Sequence, residues 1–374
     1  MNPFNHDKIG LKKDFCGRET ELAKLKQVVL SKNNLVVYGE RRYGKSALIS
    51  NAFLQFPDTV LPVDVDIYNA VDEYGVALAI YDAVIKAIPF SLEEKIKKLP
   101  KLFTRLSISM MPSRSGESVV FKPQLEGRTF EDIINDTFDV VTAVCKREGY
   151  THAVISIDEF QEVGKMERVR IDAVLRTISQ RNDNVCFIFS GSKKNMLRKI
   201  LNDKSAPWYG MTTPLVVKEI ETKTFHQYCA AKLNAKIDLE VFSYLMSKVK
   251  GQTQLVLKLC GLLYADMLDI VTTDDVDRVF NSVVDDYDDE YRHYYMRLPS
   301  RQRNAIMAIG LSGGKGLFAS SLLKELRITK QALLKSLEAL EASEEVVKEG
   351  DGAYRCYNLM LQLWVENRLI QQQQ

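Results

Sequence analysis

The chain has 374 residues, 46% of them hydrophobic and 27% charged, with a formal net charge of +2 at pH 7. That composition excludes a disordered or fibrous protein, and the near-balanced charge excludes a chain built as a whole to grip nucleic acid or an anionic membrane. The length points to roughly two or three domains. The N-terminus has no apolar signal core, and no apolar run approaches the ~20 residues of a membrane-spanning helix. The six cysteines are scattered without a C-x-x-C and the four histidines form no cluster, so a cytoplasmic protein with reduced thiols and no zinc is expected.

In chain order, Phe15 to Leu22 lead into a helix with Leu22, Leu25, Val28 and Val29 on one face. Glu19 and Glu21 fall in its first turn, where the helix dipole favours carboxylates. Leu35-Val36-Val37-Tyr38 reads as a buried strand. It runs into Gly39–Ser46, which fits G-x-x-x-x-G-K-[ST] at every fixed position. Gly39 and Gly44 let the backbone turn tightly, so the amides of Gly39, Glu40, Arg41, Arg42, Tyr43, Gly44, Lys45, Ser46 and Ala47 can face phosphate oxygens. Lys45 is the mobile cation for the β- and γ-phosphates. The Ser46 hydroxyl is a ligand for Mg²⁺, and the following helix, Ser46–Phe53, adds its positive dipole end.

A Val-rich strand, Val60–Ile67, carries Asp64 and Asp66 on one side. A helix over Tyr74–Ala87 follows, then a capping box at Ser91 opening a short basic helix, whose Lys95, Lys97, Lys98, Lys101 and Arg105 read as a solvated face. Leu106–Met111 and Ser118–Phe121 read as an inserted hairpin. Thr129 caps a helix reaching Glu148. Then Ala153–Ile157, apolar but for Ser156, delivers Asp158-Glu159 to a strand's carboxyl end, where ligands of open α/β sheets bind. Conditional on the phosphate loop, Asp158 holds Mg²⁺ and Glu159 orients and deprotonates the attacking water. A helix over Met166–Gln180 precedes strand Val185–Phe189, which ends in Ser190-Gly191-Ser192. A basic helix over Lys193–Leu201 and a turn lead to strand Pro214–Val217.

Beyond Lys218 the strand signals stop. Helical patterns cover Lys223–Leu233, Leu239–Val249, Thr253–Leu268 and Thr273–Tyr287, and the acidic run Asp285–Glu290 reads as a solvated helix end. From Leu298 the order is helix (Ser300–Gly310), helix (Ala319–Leu326), helix (Thr329–Ala342), hairpin (Val346–Lys348 and Ala353–Cys356) and helix (Asn358–Ile370), the make-up of a winged helix, with Gln371–Gln374 a disordered end.

These parts together resemble the STAND class of P-loop ATPases, relatives of the AAA+ proteins, and within it the archaeal-type ATPase family. The resemblance rests on Gly17-Arg18-Glu19, Gly39–Ser46, Ile157-Asp158-Glu159-Phe160-Gln161, Ser190-Gly191-Ser192, Tyr209-Gly210 and the terminal winged helix. It implies a three-layer α/β P-loop core (residues 1–218), a helical lid (219–290) and a winged-helix domain (291–374). It implies that ATP or ADP binds between core and lid, with Gly17 and Arg18 bordering base and ribose, and that Ser190 or Ser192 reaches the γ-phosphate or the lytic water. Relatives usually read Tyr-Gly-Arg where this chain has Tyr209-Gly210-Met211, and often Gly-x-Pro where it has Gly251-Gln252-Thr253. Hydrolysis is therefore expected to be slow. The implied function is an ATP-driven molecular switch acting on a protein partner, with nucleotide-dependent self-association. An initiator-like ATPase that binds DNA through the winged helix, and a scaffold with negligible turnover, are the alternatives. No membrane partner is implied.

Overall fold

Between residues 9 and 218 strands and helices alternate: α1 (Glu19–Leu30), β1 (Asn34–Gly39), α2 (Lys45–Phe53), β2 (Val60–Asp66), α3 (Glu73–Ala87), α4 (Leu92–Leu102), β3 (Ile108–Pro112), β4 (Val119–Pro123), α5 (Phe130–Glu148), β5 (His152–Asp158), α6 (Ile171–Arg181), β6 (Val185–Gly191), α7 (Lys194–Leu201) and β7 (Thr212–Val217). The structure is a computed structural model and describes residues 2–4, 10–112, 119–192, 194–343, 345–349 and 351–370. The turn of the inserted hairpin, Lys193 and the terminal glutamines lie outside the described residues.

Five strands form one parallel sheet in the order β2-β5-β6-β1-β7. The central strands β1, β5 and β6 are buried almost throughout, as parallel strands covered on both faces must be. Val36, Tyr38, Ile155, Ile157, Phe187 and Phe189 pack with apolar residues of α3, α5 and α6 on one face. Leu35, Val37, Val154, Cys186 and Ile188 pack with those of α1 and α2 on the other. The result is a three-layer α/β P-loop core. β2 is one of the two edges, with β7 the other, and it alternates: Val63 and Val65 are buried while Asp64 and Asp66 are exposed.

β3 and β4 pair antiparallel as a separate ribbon. The buried Asp136 of α5 ties the segment before it down, accepting from the amides of Thr104, Arg105 and Leu106 at 2.9, 3.0 and 2.8 Å. The helix expected over Met166–Gln180 starts only at Ile171. A 3₁₀ turn, Phe160–Lys165, comes first and buries Phe160, Gln161 and Val163, and the extended backbone at Met166 ends it, so the helix begins only further on.

Residues 219–374, with residues 1–8, form a second compact unit. It is helical through α8 (Thr222–Lys232), α9 (Leu239–Lys248), α10 (Thr253–Ala265), α11 (Thr273–Asp286), α12 (Asp288–Arg297), α13 (Ser300–Ser312), α14 (Ser320–Glu325) and α15 (Lys330–Ala342). The antiparallel pair β8 (Val346–Lys348) and β9 (Tyr354–Cys356) follows, then α16 (Leu359–Trp364), which continues as a π-helical stretch over Val365–Ile370. The acidic run read as a helix end does close α11 with Asp285 and Asp286, and it also opens a helix the sequence did not announce, α12, with Asp288, Asp289 and Glu290. Tyr291 and Tyr295 of that helix pack near Trp364, and the Trp364 indole donates to Asp288 at 2.7 Å. No helix among the described residues is long and apolar enough to cross a membrane.

Candidate functional site

The carboxyl ends of β1, β5 and β6 bring the sequence-predicted residues together. β1 ends at Gly39, in register with Val217 of β7. A Cβ at Gly39 would sit 2.9 Å from the Val217 carbonyl oxygen, so only glycine lets the chain turn there. The loop then passes through the left-handed region twice, at Arg42 (φ 69) and Gly44 (φ 87), the backbone form that turns successive amides toward one anion. Gly44 opens α2, its carbonyl accepting from Leu48 at 3.0 Å. Arg41 and Arg42 are exposed, Glu40 is half-buried, and Ala47 lies in the first turn of α2.

Lys45 is buried. Its ammonium donates to the carbonyls of Gly39 at 3.0 Å and Glu40 at 2.9 Å, along the inside of the loop. Burial pushes its pKa down, and the carboxylates of Asp158, Glu159 and Glu40 oppose that shift. Asp158 is the hub. Oδ2 accepts from Ser46 Oγ at 2.9 Å, and Oδ1 accepts from Ser190 Oγ at 2.7 Å and from the Glu159 amide at 2.9 Å. One carboxylate thus links α2, β5 and β6. Ser190 is fully buried, so its hydroxyl is spent on Asp158.

Glu159 adopts φ 53 and ψ 36, a left-handed conformation that costs a non-glycine residue roughly 1–2 kcal/mol. Its Oε2 accepts from Gln161 Nε2 and, at 3.2 Å, from Ser192 Oγ. Gly17, at φ 64, turns the chain ahead of α1. Arg18 is buried. Its guanidinium donates to the carbonyl of Tyr43 at 3.1 Å and of Lys218 at 2.5 Å, and to Glu21 at 3.0 Å. It braces the loop's backbone from behind.

Two features went unread in the sequence. Gln161 was noted only as part of Asp-Glu-Phe-Gln, and nothing local reveals that its amide meets Glu159. Arg176 of α6 lies against Met211, Nε to Sδ 3.4 Å. Arg198, on α7, lies near Tyr38, whose phenol is pushed up to about 12 by burial, with Arg198 working against the shift.

A phosphate-type loop after one strand, an Asp-Glu pair after another and a single strand between them, β6, define a P-loop ATPase of AAA+-like kind. The chain belongs to the family of ATPase domains found predominantly in Archaea, whose model matches residues 15–259. It is an ATPase, with ATP its substrate and ADP its product. Among solved structures it is similar to a Walker-type ATPase of Pyrococcus abyssi, at 16% identity and a TM-score of 0.67, over 97% of this chain and 99% of that one. It is also similar to the ORC2 protein of Aeropyrum pernix, solved in ADPNP–ADP complexes, at 13% identity and a TM-score of 0.56, over 97% of each chain. Both likenesses are of fold. No curated protein matches the chain.

Proposed function

We propose that this ATPase is a slow nucleotide-dependent switch, in which ATP hydrolysis sets whether residues 219–374 engage a protein partner. Lys45 and the loop amides hold the phosphates. Ser46 and Asp158 offer hard oxygen donors, their Oγ and Oδ2 2.9 Å apart, which suits Mg²⁺. When bound, that ion would neutralise phosphate charge. Glu159 takes a proton from water as the water oxygen bonds the γ-phosphorus and the bond to the bridging oxygen breaks, giving ADP and phosphate. Ser190 acts through Asp158, which it holds in place. Turnover is slow because Met211 stands where an arginine would be expected. Cytoplasmic location and nucleotide-dependent self-association belong to the same reading.

The observation that carries the switch is Arg18. One buried guanidinium joins the Tyr43 carbonyl, in the phosphate loop, to the carbonyl of Lys218, the last residue of the first compact unit. A shift of the loop on loss of phosphate thereby reaches the chain at residue 218. Amide hydrogen exchange tests this. Exchange in residues 219–374 should differ between ATP-bound and ADP-bound protein, and the difference should shrink in Arg18→Ala. Identical exchange in the two nucleotide states would contradict the switch.

A second reading, DNA binding by residues 291–374 as a winged helix, draws on exposed Lys330 and Lys335 at the start of α15. Charge argues against it. Glu338 is exposed on the same helix, Glu341 and Glu345 follow, Arg355 is paired with Glu349 at 2.8 Å, and Lys315 is paired with Asp351 at 3.0 Å. A DNA reader presents a clear basic stripe. Duplex binding is therefore expected to be weak and sequence-blind. Sub-micromolar, sequence-specific binding with a steep negative salt slope, lost when Lys330 and Lys335 are both changed to Ala, would favour the DNA reading.

A further inference from the structure

Glu159 and Gln161 are close through a backbone that a sequence pattern does not display. The left-handed turn at Glu159 starts the 3₁₀ segment Phe160–Lys165 and brings the Gln161 amide back to the glutamate's carboxylate. Gln161 is 1% exposed. Its amide nitrogen must face the carboxylate, because the reverse orientation would set two acceptor oxygens against each other. Its Oε1 is then buried with no hydrogen-bond partner among the described residues. Leaving such a buried acceptor orphaned is destabilising. A leucine of similar size would avoid that cost, so packing does not account for the amide. What the amide supplies and a leucine cannot is a donor to Glu159. The end of β6 is shaped to it as well: a Cβ at Gly191 would collide with Gln161 Oε1, and the next residue, Ser192, adds the second donor to the same oxygen of Glu159. Phe160 packs against Phe189 of β6, ring centroids 4.3 Å apart and planes tilted by 36°, which holds the turn against the strand.

We propose that Gln161, assisted by Ser192, is a positioning residue for hydrolysis. It occupies Oε2 of Glu159 and leaves Oε1 as the oxygen that takes the proton from water. The proposal rests on the reading of Glu159 as the base.

The test compares steady-state ATP hydrolysis and ATP binding in Gln161→Leu, Gln161→Glu, Ser192→Ala and Glu159→Gln. A misaimed base costs up to about 100-fold, so Gln161→Leu should lower kcat at least about tenfold while KM and ATP affinity stay within about twofold. Ser192→Ala, which leaves the Gln161 donor in place, should lower kcat less, in the same direction. Gln161→Glu keeps the shape but sets a second carboxylate beside Glu159. Two such groups resist ionising together, so the acid limb of its kcat–pH profile should move to higher pH. A packing role would lower thermal stability without moving that limb. The proposal is overturned if kcat in Gln161→Leu and Ser192→Ala stays within about twofold of wild type or rises. It is also overturned if activity and ATP affinity fall together while the Gln161→Glu acid limb is unmoved. Glu159→Gln separates the two levels: wild-type turnover there removes the base and with it the need to aim it, whereas an inactive Glu159→Gln beside active Gln161 variants removes the positioning role alone.

Discussion

Lys45→Ala should lose tight ATP binding. The side chain is a buried cation whose Nζ lies on the carbonyls of Gly39 and Glu40, inside the turn made by Arg42 and Gly44. Its bonds there are to neutral acceptors, and the charged phosphate is the stronger one. Removing a charged donor from a bound phosphate costs about 3 kcal/mol, on the order of 100-fold in Kd. Calorimetric titration of ATP with Mg²⁺ measures it, with thermal unfolding as a control that Lys45→Ala is folded. The loss should fall on ATP and ADP alike, since both carry the β-phosphate. Unchanged affinity in a folded Lys45→Ala protein would mean that the nucleotide does not use this loop.

Glu159→Gln should leave ATP binding intact and abolish measurable turnover. Gln has the shape of Glu and can still accept from Gln161 Nε2 and Ser192 Oγ through its carbonyl oxygen, so the turn at φ 53 should persist. It lacks the basicity to take a proton. General-base catalysis is worth roughly 10²–10⁴-fold, and the loss in kcat should lie in that range. Phosphate release under saturating ATP, with binding measured separately, checks both halves. Turnover at the wild-type rate would assign the base elsewhere; Asp66, in register with Asp158 on the neighbouring strand, would be the first residue to try.

The phosphate loop was legible because its chemistry is local. Gly39, Gly44, Lys45 and Ser46 lie within eight residues, at a spacing the sequence displays directly. Asp158 and Glu159 were legible as an acidic pair ending an apolar strand. What the sequence could not display was long-range placement. That β6 lies between β1 and β5 depends on β1 pairing with a strand more than a hundred residues further along the chain. The hydroxyl of Ser190 reaches Asp158, and so is committed to the carboxylate, only because of that order. Gln161 meets Glu159 through a left-handed turn that no glycine announces. Helix α12 was hidden by its acidic opening, since what secures it is Trp364, far along the chain. The bonds of the Arg18 guanidinium to the carbonyls of Tyr43 and Lys218 span long stretches of chain and were likewise not displayed in the sequence.

The most direct test of the account is phosphate release from saturating Mg²⁺-ATP by the wild-type chain and Lys45→Ala side by side. The account predicts slow but measurable release by the wild type, lost in Lys45→Ala, with both proteins folded. No release by a wild-type protein that binds ATP, or equal release by the two, would contradict it.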